Sequence, residues 1–136
     1  MKRNATAVWL GTGKEGNGKL STGSKLLSNA QYSYKSRFED GVGTNPEELI
    51  AAAHAGCFSM KLAFVLGAAG FTPESIETFC ENQLANGVIE FSHLVCKAKV
   101  AGISPDAFQK AAEEAKATCP VSKSLNMPIT LEATLV

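Results

Sequence analysis

The segment that most restricts how this chain can fold runs from Leu49 to Ala69. Only His54, Ser59 and Lys61 carry polar side chains there. Its start is well marked: Thr44 or Asn45 can cap a helix, Pro46 suits the first turn, and Glu47 and Glu48 complement the positive end of the dipole. Gly70 is suited to the αL residue that closes a helix, and Pro73 prevents continuation. A helix apolar nearly all round must be buried on most sides. Its length is that of a membrane span, but Lys61 near the middle, His54, and the excess of Ala and Gly over Leu and Ile argue for a buried soluble helix. Ala51, Ala52, Ala53, Ala55 and Gly56 allow a neighbouring backbone to approach closely.

A chain of 136 residues has little protein with which to cover such a helix. A second copy of the same helix across a two-fold axis solves that problem, so a homodimer is expected. The composition agrees with association. Thirteen basic residues balance thirteen acidic ones, leaving no net charge, and a neutral surface resists self-association poorly. The same neutrality argues against a nucleic-acid or anionic-membrane partner. With 45% apolar and 19% charged residues, the chain can build a core.

Around the helix the pattern is one of strands. Ala5–Leu10 is β-prone, Gly11–Gly18 reads as a hairpin turn, and Lys19–Gly23 as the return strand. Aromatic and polar residues alternate from Tyr32 to Phe38, which predicts a third strand there, before a loop at Gly41–Asn45. Ser75–Leu84 and Val88–Val100 form a hairpin around Asn86-Gly87, the favoured two-residue turn. The second of these strands changes phase, which predicts a bulge near His93. Ser104 caps a helix from Pro105 to about Thr118, Cys119-Pro120 starts a short helical turn, and Ile129–Val136 alternates as a closing strand. The order predicts a single α+β domain over residues 1–136, with antiparallel sheets packed around long buried central helices. Lys2 and Arg3 are followed by an apolar run of only Ala7–Leu10, too short for a signal-peptide core, so a cytoplasmic protein is expected.

Four cysteines are too few for a disulfide scaffold, and no Cys-x-x-Cys pair exists. His54 and Cys57 stand at i, i+3 and lack two further ligands in any evident pattern, so no metal site is expected. A two-residue turn places Cys80 opposite His93 and sends Cys80 and Cys96 to opposite sheet faces, which rules out a bridge between them unless the bulge shifts the register. Both read as structural thiols. Burial in the apolar helix would raise the pKa of Cys57, which needs a nearby cation to react. Cys119, before Pro120 at a helix start, is the more acidic of the two on local physics alone, and spacing does not decide which one attacks.

Larger motifs then carry a resemblance. Ser36-Arg-Phe-Glu-Asp40, Gly43-Thr-Asn-Pro-Glu-Glu-Leu-Ile50, Ala52-Ala-His-Ala-Gly-Cys-Phe-Ser-Met60 and Thr118-Cys-Pro-Val-Ser122 resemble the OsmC branch of the OsmC/Ohr family. The likeness runs from about Ala7 to the C-terminus. It implies an intertwined α+β homodimer with active sites at the subunit interface. It also implies a thiol peroxidase that reduces organic hydroperoxides and, more weakly, hydrogen peroxide. Carried over, Cys57 is the peroxidatic thiol and Cys119 the resolving one, joined as a disulfide that an external dithiol reopens. A lipoyl-type dithiol is what the related Ohr branch suggests. Arg37 would stabilise the Cys57 thiolate and Glu47 would orient Arg37; no haem, flavin or metal is required. A non-catalytic redox-sensing or ligand-binding module is the alternative.

Helix geometry bears on the acidic partner. Glu48 lies about 180° from Cys57 round an ideal helix and Glu47 about 80°. Yet ten residues of helix rise roughly 15 Å, too far for Glu47 and Cys57 to share one arginine on a straight helix. Either the helix breaks after its first turn or Glu47 serves the Cys57 of the partner subunit, and the second is preferred. His54 is expected to be a hydrogen-bonded core residue outside the catalytic set.

Overall fold

Strand β1 (Ala5–Leu10), β2 (Asn17–Thr22) and β3 (Ala30–Ser33) form an antiparallel sheet in the order β1-β2-β3. The computed structural model describes every residue, Met1–Val136, and its packing separates two compact units, Met1–Leu49 and Ile50–Val136. The first sheet belongs to the first unit. Its register sets Gly18 opposite both Trp9 and Tyr32, whose rings pack with centroids 5.3 Å apart. A Cβ on Gly18 would run into both rings, so only glycine fits between them.

The third strand ends earlier than its alternation predicts. Tyr34–Phe38 is a short helix, α1. Ser33 caps it: the Ser36 N–H donates to Ser33 Oγ at 3.2 Å and the Ser33 N–H to Ser36 Oγ at 2.8 Å, a reciprocal capping box. Tyr34 and Phe38 then stack at i, i+4 with centroids 4.7 Å apart, a helical neighbour relation. The aromatic spacing that suggested a strand is equally a helical one, and the serine pair selects the helix.

Helix α2 runs without interruption over Pro46–Ala68. Asn45 Oδ1 accepts the Glu48 N–H at 2.8 Å, which identifies the capping residue. At the far end Gly70 takes φ +89° and the Phe71 N–H donates to the Leu66 carbonyl at 2.9 Å, a glycine-closed terminus. One stripe of α2, formed by His54, Phe58, Leu62 and Leu66, is buried. The opposite side is not: Met60 is 65% and Phe64 69% exposed. The helix was expected to be covered on most sides, and one chain covers a single face. By length and composition alone it could cross a membrane, but its buried stripe belongs to the protein core.

Strands β4 (Pro73–Ala85) and β5 (Val88–Val100) form the predicted hairpin, with Asn86 at φ 52° and Gly87 at φ 79°, both left-handed as a type I′ turn requires. The irregularity lies closer to the turn than His93. Asn82 pairs with Ser92 and Leu84 with Ile89, so Glu90 and Phe91 together oppose Gln83. This bulge moves the register by one residue: Cys80 faces Leu94 rather than His93, and Thr78 faces Cys96. Cys80 and Cys96 therefore share a sheet face instead of taking opposite ones. Both are free thiols.

Helix α3 (Pro105–Thr118), capped by Ser104, and the short α4 (Pro120–Ser124) lead to β6 (Ile129–Leu135). Strand β6 pairs with β5 in parallel, so the sheet β4-β5-β6 is mixed rather than wholly antiparallel. Two helices intervene between β5 and β6, which returns the chain to the starting end as a parallel pairing requires. The core of this unit brings together Phe58, Leu62 and Leu66 of α2, Leu94, Cys96 and Ala98 of β5, and Phe108, Ala112 and Ala115 of α3. Burial of each large side chain there contributes about 1.5–3 kcal/mol.

Candidate active site

In the first unit the short helix α1 and the start of α2 bring Arg37 and Glu47 together. Arg37 Nε donates to Glu47 Oε1 at 3.0 Å and Oε2 at 3.2 Å, and Nη2 to Oε1 at 2.7 Å. The fork geometry fixes the guanidinium plane as well as its charge, and the hydrogen bonds it donates to Glu47 raise the Arg37 pKa. Glu48 takes a different part: its N–H is held by Asn45 and its carboxylate accepts from the Thr44 hydroxyl. Of the two carboxylates, Glu47 is thus the arginine partner and Glu48 belongs to the cap. Trp9, Tyr32, Tyr34, Arg37, Phe38 and Pro46 line a hollow of about 230 Å³ in this unit.

In the second unit the two cysteines separated by 62 positions meet. Cys119 Sγ donates to Cys57 Sγ at 2.7 Å, within about 1 Å of a disulfide bond length. Cys119 is fully buried at the junction of α3 and α4, while Cys57 is half-buried. Cys57 opens onto a hollow of about 290 Å³ lined by Met60, Lys61, Phe64, Thr118 and Pro120. An apolar hollow over a thiol accommodates an alkyl chain and leaves the sulfur reachable from outside.

The electrostatics of Cys57 are opposed. Burial pushes its pKa up, and the Cys119 thiol adds to the rise. The backbone N–H of Val121, which the Cys57 sulfur accepts, and the charge of Lys61 pull it down without cancelling the rise. On balance the surroundings of Cys57 in this chain raise its pKa and favour the thiol form. Two contributors were missed in the sequence. Lys61 stands four residues after Cys57 on the same helix face, a spacing that signals contact. The Val121 amide carried no such signal. The amide at the start of α4 goes to Cys57.

His54 is buried and fully hydrogen-bonded. Its Nδ1 lies 2.7 Å from Ser92 Oγ and its Nε2 2.8 Å from Ser122 Oγ. Burial lowers its pKa, so the neutral ring is favoured. Cys80 joins this network through Ser92 Oγ at 3.3 Å, and burial raises the pKa of both Cys80 and Cys96. No three His, Cys, Asp or Glu side chains converge where a metal ion could be held.

Comparison with known proteins finds relatives of this chain. The OsmC-like protein family model matches residues 38–134. Peroxiredoxin OsmC of Escherichia coli (strain K12) is 44% identical over 136 residues, covering 97% of this chain and 95% of that protein, and the Shigella flexneri protein of the same name matches equally. Among solved structures, an OsmC-like protein from Mycoplasma pneumoniae superposes with a TM-score of 0.79 at 13% identity, covering 100% of this chain and 98% of that one. An organic hydroperoxide resistance protein from Elizabethkingia anophelis superposes with a TM-score of 0.70 at 23% identity, covering 99% and 95%. These structures share the fold.

Proposed function

The chain belongs to the OsmC-like protein family, and from that membership we propose that it is a thiol-dependent peroxidase reducing organic hydroperoxides, and hydrogen peroxide more weakly. The observation that carries this reading is the 2.7 Å approach of Cys57 and Cys119 beside an apolar hollow. The Cys57 thiolate attacks the terminal peroxide oxygen; the O–O bond breaks, the alkoxide leaves and takes a proton as the alcohol, and Cys57 becomes a sulfenic acid. The Cys119 sulfur then attacks Cys57 Sγ. A disulfide forms, the S–O bond breaks, and hydroxide leaves with the thiol proton as water. An external dithiol, of lipoyl type in this proposal, reopens the bridge in two exchange steps and is itself oxidised to a disulfide.

The thiolate needs a cation beyond Lys61, because burial dominates in the single protomer. Arg37, oriented by Glu47, supplies it. With α2 continuous from Pro46 to Ala68, the alternative of a helix broken after its first turn falls away, which favours Arg37 and Glu47 serving Cys57 of the partner subunit. The exposed Met60 and Phe64 on α2 support the same homodimer, since apolar side chains at that spacing seek a second surface. In this reading residues 1–136 act as one domain, and the protein works in the cytoplasm, where dithiol reductants are available.

The test is peroxide consumption with a dithiol donor. Activity on an alkyl hydroperoxide should vanish in Cys57→Ser. Cys119→Ser should complete a first turnover and then stall or over-oxidise. Wild-type activity no greater than that of Cys57→Ser would refute the proposal.

A further inference from the structure

His54 takes no part in the chemistry above, yet its two hydrogen bonds fall at informative places. It precedes Cys57 by three residues on α2, and Ser122, bound to its Nε2 at 2.8 Å, follows Cys119 by three. Ser122 is also the neighbour of Val121, whose N–H faces the Cys57 sulfur. On the other side, His54 Nδ1 holds Ser92 on β5 at 2.7 Å. The Ser92 N–H in turn donates to the Pro128 carbonyl at 3.0 Å, just before β6. The segment from Cys119 to Pro128 is thus tied near its start to His54 itself and at its end to a strand that His54 also binds.

The ring suits such a tie. It is fully buried, and a neutral imidazole offers one donor and one acceptor, which two serine hydroxyls can complement in either tautomer. We infer that His54 is a positioning residue: through Ser122 it seats α4 so that the Cys119 thiol and the Val121 amide stay on Cys57. This rests on the peroxidase reading for its biological use, though the geometry concerns disulfide closure itself. Closure competes with a second oxidation. When Cys119 attacks promptly, sulfenic Cys57 becomes a disulfide; when α4 is displaced, another hydroperoxide oxidises it to the sulfinic acid and a second alcohol is released.

Ser122→Ala removes the tie while leaving both cysteines and His54 in place. Ser59→Ala is the control on the same helix: its hydroxyl bonds Thr78 Oγ1 at 2.8 Å and the Ala55 carbonyl at 2.9 Å, with no link to α4. Two readouts separate the cases. The first is the rate of Cys57–Cys119 closure driven by diamide, an azo oxidant that takes up two electrons and two protons as the bridge forms, with no peroxidase activity needed. The second is the sulfinic fraction of Cys57, by intact mass, after excess alkyl hydroperoxide. Ser122→Ala should slow closure about fivefold, the factor one ordinary hydrogen bond is worth, and raise the sulfinic fraction. Ser59→Ala should match wild type, and Ser122→Thr, which keeps the hydroxyl, should restore closure. Closure in Ser122→Ala at the wild-type rate, or equal slowing in Ser122→Ala and Ser59→Ala, would overturn the inference. If the wild type consumed no peroxide while diamide closure still separated the two variants, the peroxidase reading would fail and this one would stand.

Discussion

Acidification offers a quantitative test of the His54 environment. The ring is fully buried, and the groups that face it, the hydroxyls of Ser92 and Ser122 and the thiol of Cys80, are neutral. No carboxylate compensates a positive ring, so burial lowers the His54 pKa. The unfolded chain, with an ordinary histidine near pH 6.5, then binds one more proton than the folded chain in the interval below that value. Stability is full above about pH 6.5 and falls as the pH drops from there towards the depressed folded pKa, with a limiting slope of about 1.4 kcal/mol per pH unit for one proton. The cysteines with raised pKa contribute at the alkaline end, because their folded forms hold protons longer, and do not affect this interval. Urea unfolding at fixed protein concentration, compared between pH 7.5 and 5.5, should therefore show a loss on the order of 1 kcal/mol. That loss should be absent in His54→Gln, which lacks the titrating group. An equal loss in wild type and His54→Gln, or a histidine titrating near pH 6.5 by NMR at this position, would refute the reasoning.

Other consequences follow from the same geometry. Lys61→Ala removes one of the two influences that lower the Cys57 pKa, so thiolate absorbance should appear at higher pH than in wild type, whereas Lys61→Arg should leave it near the wild-type position. Glu47→Gln should cost less than about 1 kcal/mol of stability, because Arg37 is 39% exposed and the pair is open to solvent on that side. Its kcat/KM on an alkyl hydroperoxide should nonetheless fall about tenfold or more, equivalent to about 1.4 kcal/mol in the barrier; unchanged kcat/KM would remove Glu47 from the site. Phe64→Asp places a charge on the uncovered face of α2; if that face forms the proposed homodimer, light scattering should report a dimer for the wild type and a monomer for the variant.

Much of this was legible from residue order because local signals agreed with tertiary ones. Asn45-Pro46 and Gly70 bound α2, Asn86-Gly87 fixes the hairpin, and Ser104-Pro105 starts α3. The errors arose where one pattern supports two structures. Tyr34 and Phe38 fit a strand or a helix, and the Ser33–Ser36 box decides. The phase change in β5 predicts a bulge near His93, whereas the bulge lies nearer the turn at Glu90 and Phe91, and the register it sets puts Cys80 and Cys96 on one face. The alternation in β6 is the same for parallel and antiparallel neighbours, and only the return through α3 and α4 settles its direction. The candidate site divides in the same way. Arg37 and Glu47, and Cys57 and Cys119, were recognisable as motifs, whereas the Val121 amide on Cys57 is a backbone group whose role no side-chain pattern could reveal.

Cys57 and Cys119 are proposed to form one redox couple, with the other two thiols apart from it. Peptide mapping by mass spectrometry, after reduced protein meets one equivalent of an alkyl hydroperoxide per chain, tests it most directly. The expected result is a single bridge linking the Cys57 and Cys119 peptides within one chain, with Cys80 and Cys96 still alkylatable. No bridge, or one that uses Cys80 or Cys96 in place of Cys119, would contradict the account.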